Sequence, residues 1–120
     1  MNLLLRHYLR VEVESDLPGR LRVCYPAYPK FPPEVKDYLH YVKEALMMPK
    51  GVTEVRLNER IGSILICYDP AKMSGERLLN WVRILTETGL SFASDENLRM
   101  TETEIERAAR AILEKRVREI

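Results

Sequence analysis

The segment Ser63-Ile64-Leu65-Ile66-Cys67-Tyr68 constrains the fold more than any other stretch of this chain. Ile64 and Ile66 share one parity and Leu65 and Cys67 the other, so an extended backbone here is apolar on both sides. Gly62 precedes the run and Asp69-Pro70 follows it, both of them turn signals. A strand apolar on both parities belongs inside a sheet covered on both faces. Neighbouring strands and two covers are therefore expected, the covers from this chain or from a second copy.

Neighbouring strands are visible as alternation. Leu9, Val11 and Val13 alternate with charged residues until Ser15-Asp16-Leu17-Pro18-Gly19 interrupts them, and Leu21, Val23 and Tyr25 alternate with Arg20, Arg22 and Cys24. Val52, Val55 and Leu57 predict a further strand with an irregularity near Thr53, and Asn58 to Gly62 makes the reversal into the strand at 63–68. Leu90 to Ala93 has the length of a final edge strand.

Covers are visible as helical spacing. After a loop kept irregular by Pro26, Pro29 and Pro32, Pro33 opens a helix whose apolar stripe is Val35, Tyr38, Leu39, Val42, Ala45 and Leu46. Pro49-Lys50-Gly51 ends it. Ser74 is the expected N-cap of a helix that turns Leu78, Trp81, Val82 and Leu85 inward and stops at Gly89. Thr101 and Glu104 form a capping box for a last amphipathic helix bearing Ile105, Ala108, Ala109, Ile112, Leu113, Val117 and Ile120.

From Arg20 to Ala93 the order is strand, helix, strand, strand, helix, strand. That order predicts an α+β fold, a ferredoxin-like βαββαβ sandwich, with an N-terminal extra strand and a C-terminal amphipathic helix. Residues 1–16 are then an N-terminal extension with a strand, 17–94 the core domain, and 95–120 a linker and terminal helix. Two helices cover one face only, so the terminal helix is expected on the other face, on the same chain or a partner. The N-terminal strand raises the same question at a sheet edge, and a homodimer is the expected assembly.

Gly51-Val52-Thr53-Glu54-Val55 and Gly62 to Pro70 resemble the second half of a heavy-metal-associated (HMA) domain, where a glycine-valine pair opens the second strand and Tyr-Asp-Pro closes the third. Pro18-Gly19-Arg20-Leu21-Arg22-Val23 resembles the opening of that family's divergent branch, and the resemblance spans about Leu17 to Ala93. It implies the ferredoxin-like fold and a place in metal homeostasis, iron or copper. It also implies a P-type metal-transporting ATPase as partner, because domains of that branch occur beside or within such pumps. Metal-binding members carry a GMxCxxC loop whose two thiolates suit soft ions such as Cu(I). Here the loop reads Tyr25-Pro26-Ala27-Tyr28-Pro29-Lys30-Phe31-Pro32, without cysteine, histidine or methionine, so no cofactor is expected there.

Cys24 and Cys67 are the two cysteines, widely spaced and outside any CxxC pattern, which points to free thiols rather than a disulfide scaffold. Their strands are neighbours in the expected fold and both face away from Leu21, Val23, Ile64 and Ile66. A displaced two-thiolate metal site is the sharp alternative; two small buried hydrophobes are the ordinary one. His7, His40 and the Met47-Met48 pair fit solvated or core roles better than metal ligation. Arg6, Arg10, Arg20 and Arg22 can make a local positive patch for an anion or acidic partner. The candidate contact residues are Arg20, Arg22 and Leu65 on the sheet and Ile105, Ile112 and Val117 on the terminal helix.

The net charge of +1 gives no strong nucleic-acid field. The face expected to bear Arg20, Arg22, Cys24, Ser63, Leu65 and Cys67 also lacks the aromatic platforms by which this fold binds RNA. No nucleophile, base and orienter set appears, so a non-catalytic protein is expected. Leu3-Leu4-Leu5, before Arg6, is too short for a signal peptide or a membrane span, and a cytoplasmic location without membrane insertion is expected. The expected role is an accessory protein of metal homeostasis acting through protein contacts. A chaperone using Cys24 and Cys67, or a structural homo-oligomerisation module, is the alternative.

Overall fold

The computed structural model describes residues 10–31, 39–92 and 102–120. Strands β1 (Glu12–Leu17), β2 (Arg20–Cys24), β3 (Val52–Asn58) and β4 (Ser63–Tyr68) form one antiparallel sheet in the order β1-β2-β4-β3. Helices α1 (Leu39–Leu46), α2 (Gly75–Phe92) and α3 (Glu102–Arg116) accompany it, giving an α+β protein. No helix of the described residues is long and apolar enough to cross a membrane.

The doubly apolar strand takes an interior position, β4, between β2 and β3. Ile64, Ile66 and Tyr68 are buried with Leu21 and Val23 of β2 and Val55 of β3. Over them lie Ala45 and Leu46 of α1 and Leu78, Trp81 and Val82 of α2. Trp81 is fully buried, and its indole Nε1–H donates to the Ala45 carbonyl at 2.9 Å. That bond satisfies the single polar atom of the ring and ties α2 to the end of α1. Ser74 caps α2 as its sequence suggests, its Oγ accepting the Arg77 backbone N–H at 3.2 Å. The irregularity at Thr53 is a bulge, visible as a register shift between Val52 and Glu54.

The last strand of the expected order is not a strand. Helix α2 runs through Gly89 to Phe92, and Ala93 lies outside the described residues. The edge beside β2 is held by β1, delivered through the Pro18-Gly19 turn, where Gly19 has φ of 82°. With that ladder already paired, residues 90–92 have no strand to join. A glycine within an established helix costs only about 1 kcal/mol, too little to end it.

Strand β1 also runs further than its alternation suggests, to Leu17 rather than stopping before Ser15. A bulge between Val13 and Ser15 shifts the register. Val13 faces the helices opposite Val23, whereas Ser15 and Leu17 fall on the other face, opposite Arg22 and Arg20. Asp16 returns to the helix side at the start of α2, where a Cβ on Gly75 would strike its carboxylate. A negative charge is favourable at that end of a helix.

Helix α3 does not lie across the far side of the sheet. It packs against α2 on the helix side, where Leu113 is buried in the core and Val117 and Ile120 pack against it. Arg110 bridges to Glu44 of α1 at 3.1 Å, and the Ile120 carbonyl accepts from Arg77 of α2 at 2.8 Å. The reason is contrast in surface: the far side carries exposed Arg20, Arg22, Glu54 and Arg56, which an apolar stripe cannot cover without desolvating them. Arg6, His7, Leu9, Pro33, Val35, Tyr38 and Thr101 lie outside the described residues.

Candidate functional site

The loop after β2, where the resemblance to metal-binding domains would put a thiolate pair, is filled with aromatic rings. Tyr28 is 2% exposed and Phe31 8%, their rings meeting edge to face with centroids 5.4 Å apart. The Tyr25 ring lies 6.4 Å from that of Phe31. The Thr86 hydroxyl donates to the Val82 carbonyl at 2.9 Å, so at 2.9 Å from Thr86 Oγ1 the Tyr25 hydroxyl is the donor. Burial pushes the Tyr25 phenol above its usual range, against the effect of Thr86, which keeps it protonated for that role. The Tyr25 N–H also donates to the Gly62 carbonyl at 3.0 Å. Gly62 has φ of 70°, and a Cβ there would collide with Tyr28, so the turn between β3 and β4 closes directly onto the loop. The space left, about 10 Å³, holds no more than one water.

Cys24 and Cys67 share a face, as alternation predicts, but the structure does not bring them together. In the antiparallel register Cys67 stands opposite Arg20 and Cys24 opposite Ser63, which places the thiols at opposite ends of the β2–β4 pair. At about 3.3 Å per residue they are separated by roughly 13 Å along the strands. Adjacent strands and equal parity are not sufficient; direction decides whether two residues meet. Among the described residues no three His, Cys, Asp or Glu side chains come together so as to hold a metal ion. Cys24 instead stands opposite Glu12, with Ser63 Oγ donating to Glu14 Oε1 at 2.7 Å nearby. Its thiol is pushed above the usual range by burial, then by the charges of Glu14 and Glu12. That environment disfavours the thiolate a soft metal needs.

What the sheet does display is arginine. Arg20 and Arg22 are exposed on β2, an interior strand, and neither makes an ion pair among the described residues. Leu17, 57% exposed, stands opposite Arg20, and half-buried Leu65 opposite Arg22 on its other side. The result is a patch of two exposed cations bordered by apolar carbon. Ile105, Ile112 and Val117, expected on the same surface, are on α3 and its 3-10 extension in the helix layer. Ile112 is 39% exposed there, Ile105 is half-buried, and Val117 packs against the core. Met47 is exposed at the end of α1, while Met48 packs against the core.

Nothing in the sequence marks Leu17, because Ser15 to Gly19 reads as a turn; β1 in fact runs to Leu17, and its bulge turns that residue to the arginine face. The aromatic filling had a signal: Tyr25, Tyr28 and Phe31 recur every third residue, the period of the 3-10 turn at Tyr28–Lys30.

Compared with known families, residues 5–120 match the family described as heavy metal associated domain 2. No curated protein and no solved structure matches the chain.

Proposed function

The chain belongs to the heavy metal associated domain 2 family, and from that premise we propose that it is a non-catalytic accessory protein of metal homeostasis, iron or copper, that acts by protein contact. The contact surface is the arginine face of the sheet, and the partner is the cytoplasmic part of a P-type metal-transporting ATPase.

One observation carries this reading. Arg20 and Arg22 stand on an interior strand of the sheet, exposed and without carboxylate partners among the described residues, beside the exposed side chain of Leu17. Arginine with adjoining apolar carbon is the composition favoured at the centre of protein interfaces, and guanidinium pairs bidentately with carboxylates on an acidic partner. The packed aromatic loop supports the same reading, since it puts rings where the family's metal-binding members put thiolates.

The test is a titration of the purified chain against soluble cytosolic domains of the source organism's P-type metal ATPases. The parent binds, and Arg20→Ala/Arg22→Ala weakens binding at least about tenfold, as loss of interface arginines does. Equal binding by the parent and this variant, or no binding by the parent, contradicts the proposal.

A further inference from the structure

We propose that two copies of this chain join edge to edge through β3, antiparallel about a two-fold axis at Val55. The inference is independent of the arginine face and names a different surface.

Strand β3 forms one edge of the sheet, and Glu54 and Arg56 flank Val55 on it, both exposed. Within the chain Arg56 Nε lies 2.7 Å from Glu54 Oε1. An antiparallel pair centred on Val55 sets Glu54 opposite Arg56 of the second copy, and Arg56 opposite its Glu54. Four charges then alternate in sign around the axis, so cross-strand and same-strand neighbours attract. A strand whose charges complement themselves under reversal is suited to an isologous interface.

The other edge is not. Strand β1 carries Glu12, ion-paired to Arg10 at 3.3 Å, and Glu14 on one face, and two such strands centred on Val13 set carboxylate against carboxylate. Acidic residues of one sign blunt an edge; the balanced pair on β3 leaves it open to a copy of itself. Along this edge an open groove of about 580 Å³ is lined by Lys43, Met47 and both faces of β3, Glu54 and Arg56 on one and Val55 and Leu57 on the other. Met47 is 42% exposed at its rim. On the helix side of the joined sheet, Val55 meets Val55 of the second copy, and Met47, just past the end of each α1, closes over the pair. The bulge between Val52 and Glu54 keeps the new ladder short, so the dimer dissociates on dilution.

The experiment is sedimentation equilibrium of the full chain over a concentration series. The parent shows a monomer–dimer equilibrium that shifts toward monomer in high salt. Glu54→Arg alone and Arg56→Glu alone each remain monomeric, because each sets like charges across the axis. An equimolar mixture of these two variants regains the dimer, and so does the exchange variant E54R/R56E. Recovery on mixing shows that the single variants are folded. A parent that is monomeric up to millimolar concentration overturns the proposal. So do single variants that dimerise like the parent, or an open series of higher oligomers from β1 meeting β3.

Discussion

Cys24 is half-buried on β2, opposite Glu12, with the Ser63–Glu14 hydrogen bond beside it. Burial and both carboxylates favour the neutral thiol. With its pKa raised, Cys24 holds less thiolate at a given alkaline pH than an unhindered cysteine. In a Cys67→Ser background, the alkylation rate of Cys24 therefore rises at a higher pH than that of a free thiol. Glu12→Gln/Glu14→Gln moves the rise back toward lower pH. A profile like that of free cysteine in the parent contradicts this picture. At this scale the sequence was informative about parity and silent about direction. It placed both cysteines on one face correctly, but the antiparallel register that separates them is a property of the paired strands.

Elements whose bounds rest on local chemistry were legible in the same way. Strand β4 occupies the residues its apolar run and flanking turns mark out, and the break at Thr53 is a bulge; Gly51 takes the expected positive φ of 97°, though in the Pro49–Val52 turn into β3 and not at the end of α1, which stops at Leu46. Elements placed by competition were not legible. Residues 90–92 stay helical because β1 had taken the edge beside β2, and nothing near Leu90 records that. The stripe on α3 shows that it must pack but not where, and the charged far face of the sheet decides the matter. Leu113, 9% exposed, is the residue that joins α3 to the core. Leu113→Ala costs about 2–5 kcal/mol, read as a lower urea midpoint, whereas Ile112→Ala on the exposed side costs well under half as much. Equal effects at the two positions contradict the helix-side docking of α3.

Over the whole molecule the sheet separates two kinds of surface. Its helix side is a closed core roofed by α1, α2 and α3, and its far side offers Arg20, Arg22, Leu17 and Leu65. The edges differ as well, β1 acidic and β3 balanced. The arginine face and the β3 edge are thus two different surfaces of the same heavy metal associated domain 2 chain. The proposed contact with a metal pump depends on the protein working by contact rather than by carrying metal at the aromatic loop or at its separated thiols. Equilibrium dialysis of the fully reduced chain against Cu(I) and against Zn(II) tests that dependence most directly. The parent and Cys24→Ser/Cys67→Ser retain the same small amount of metal if the account is right. Stoichiometric retention by the parent that disappears in the double-serine variant contradicts it.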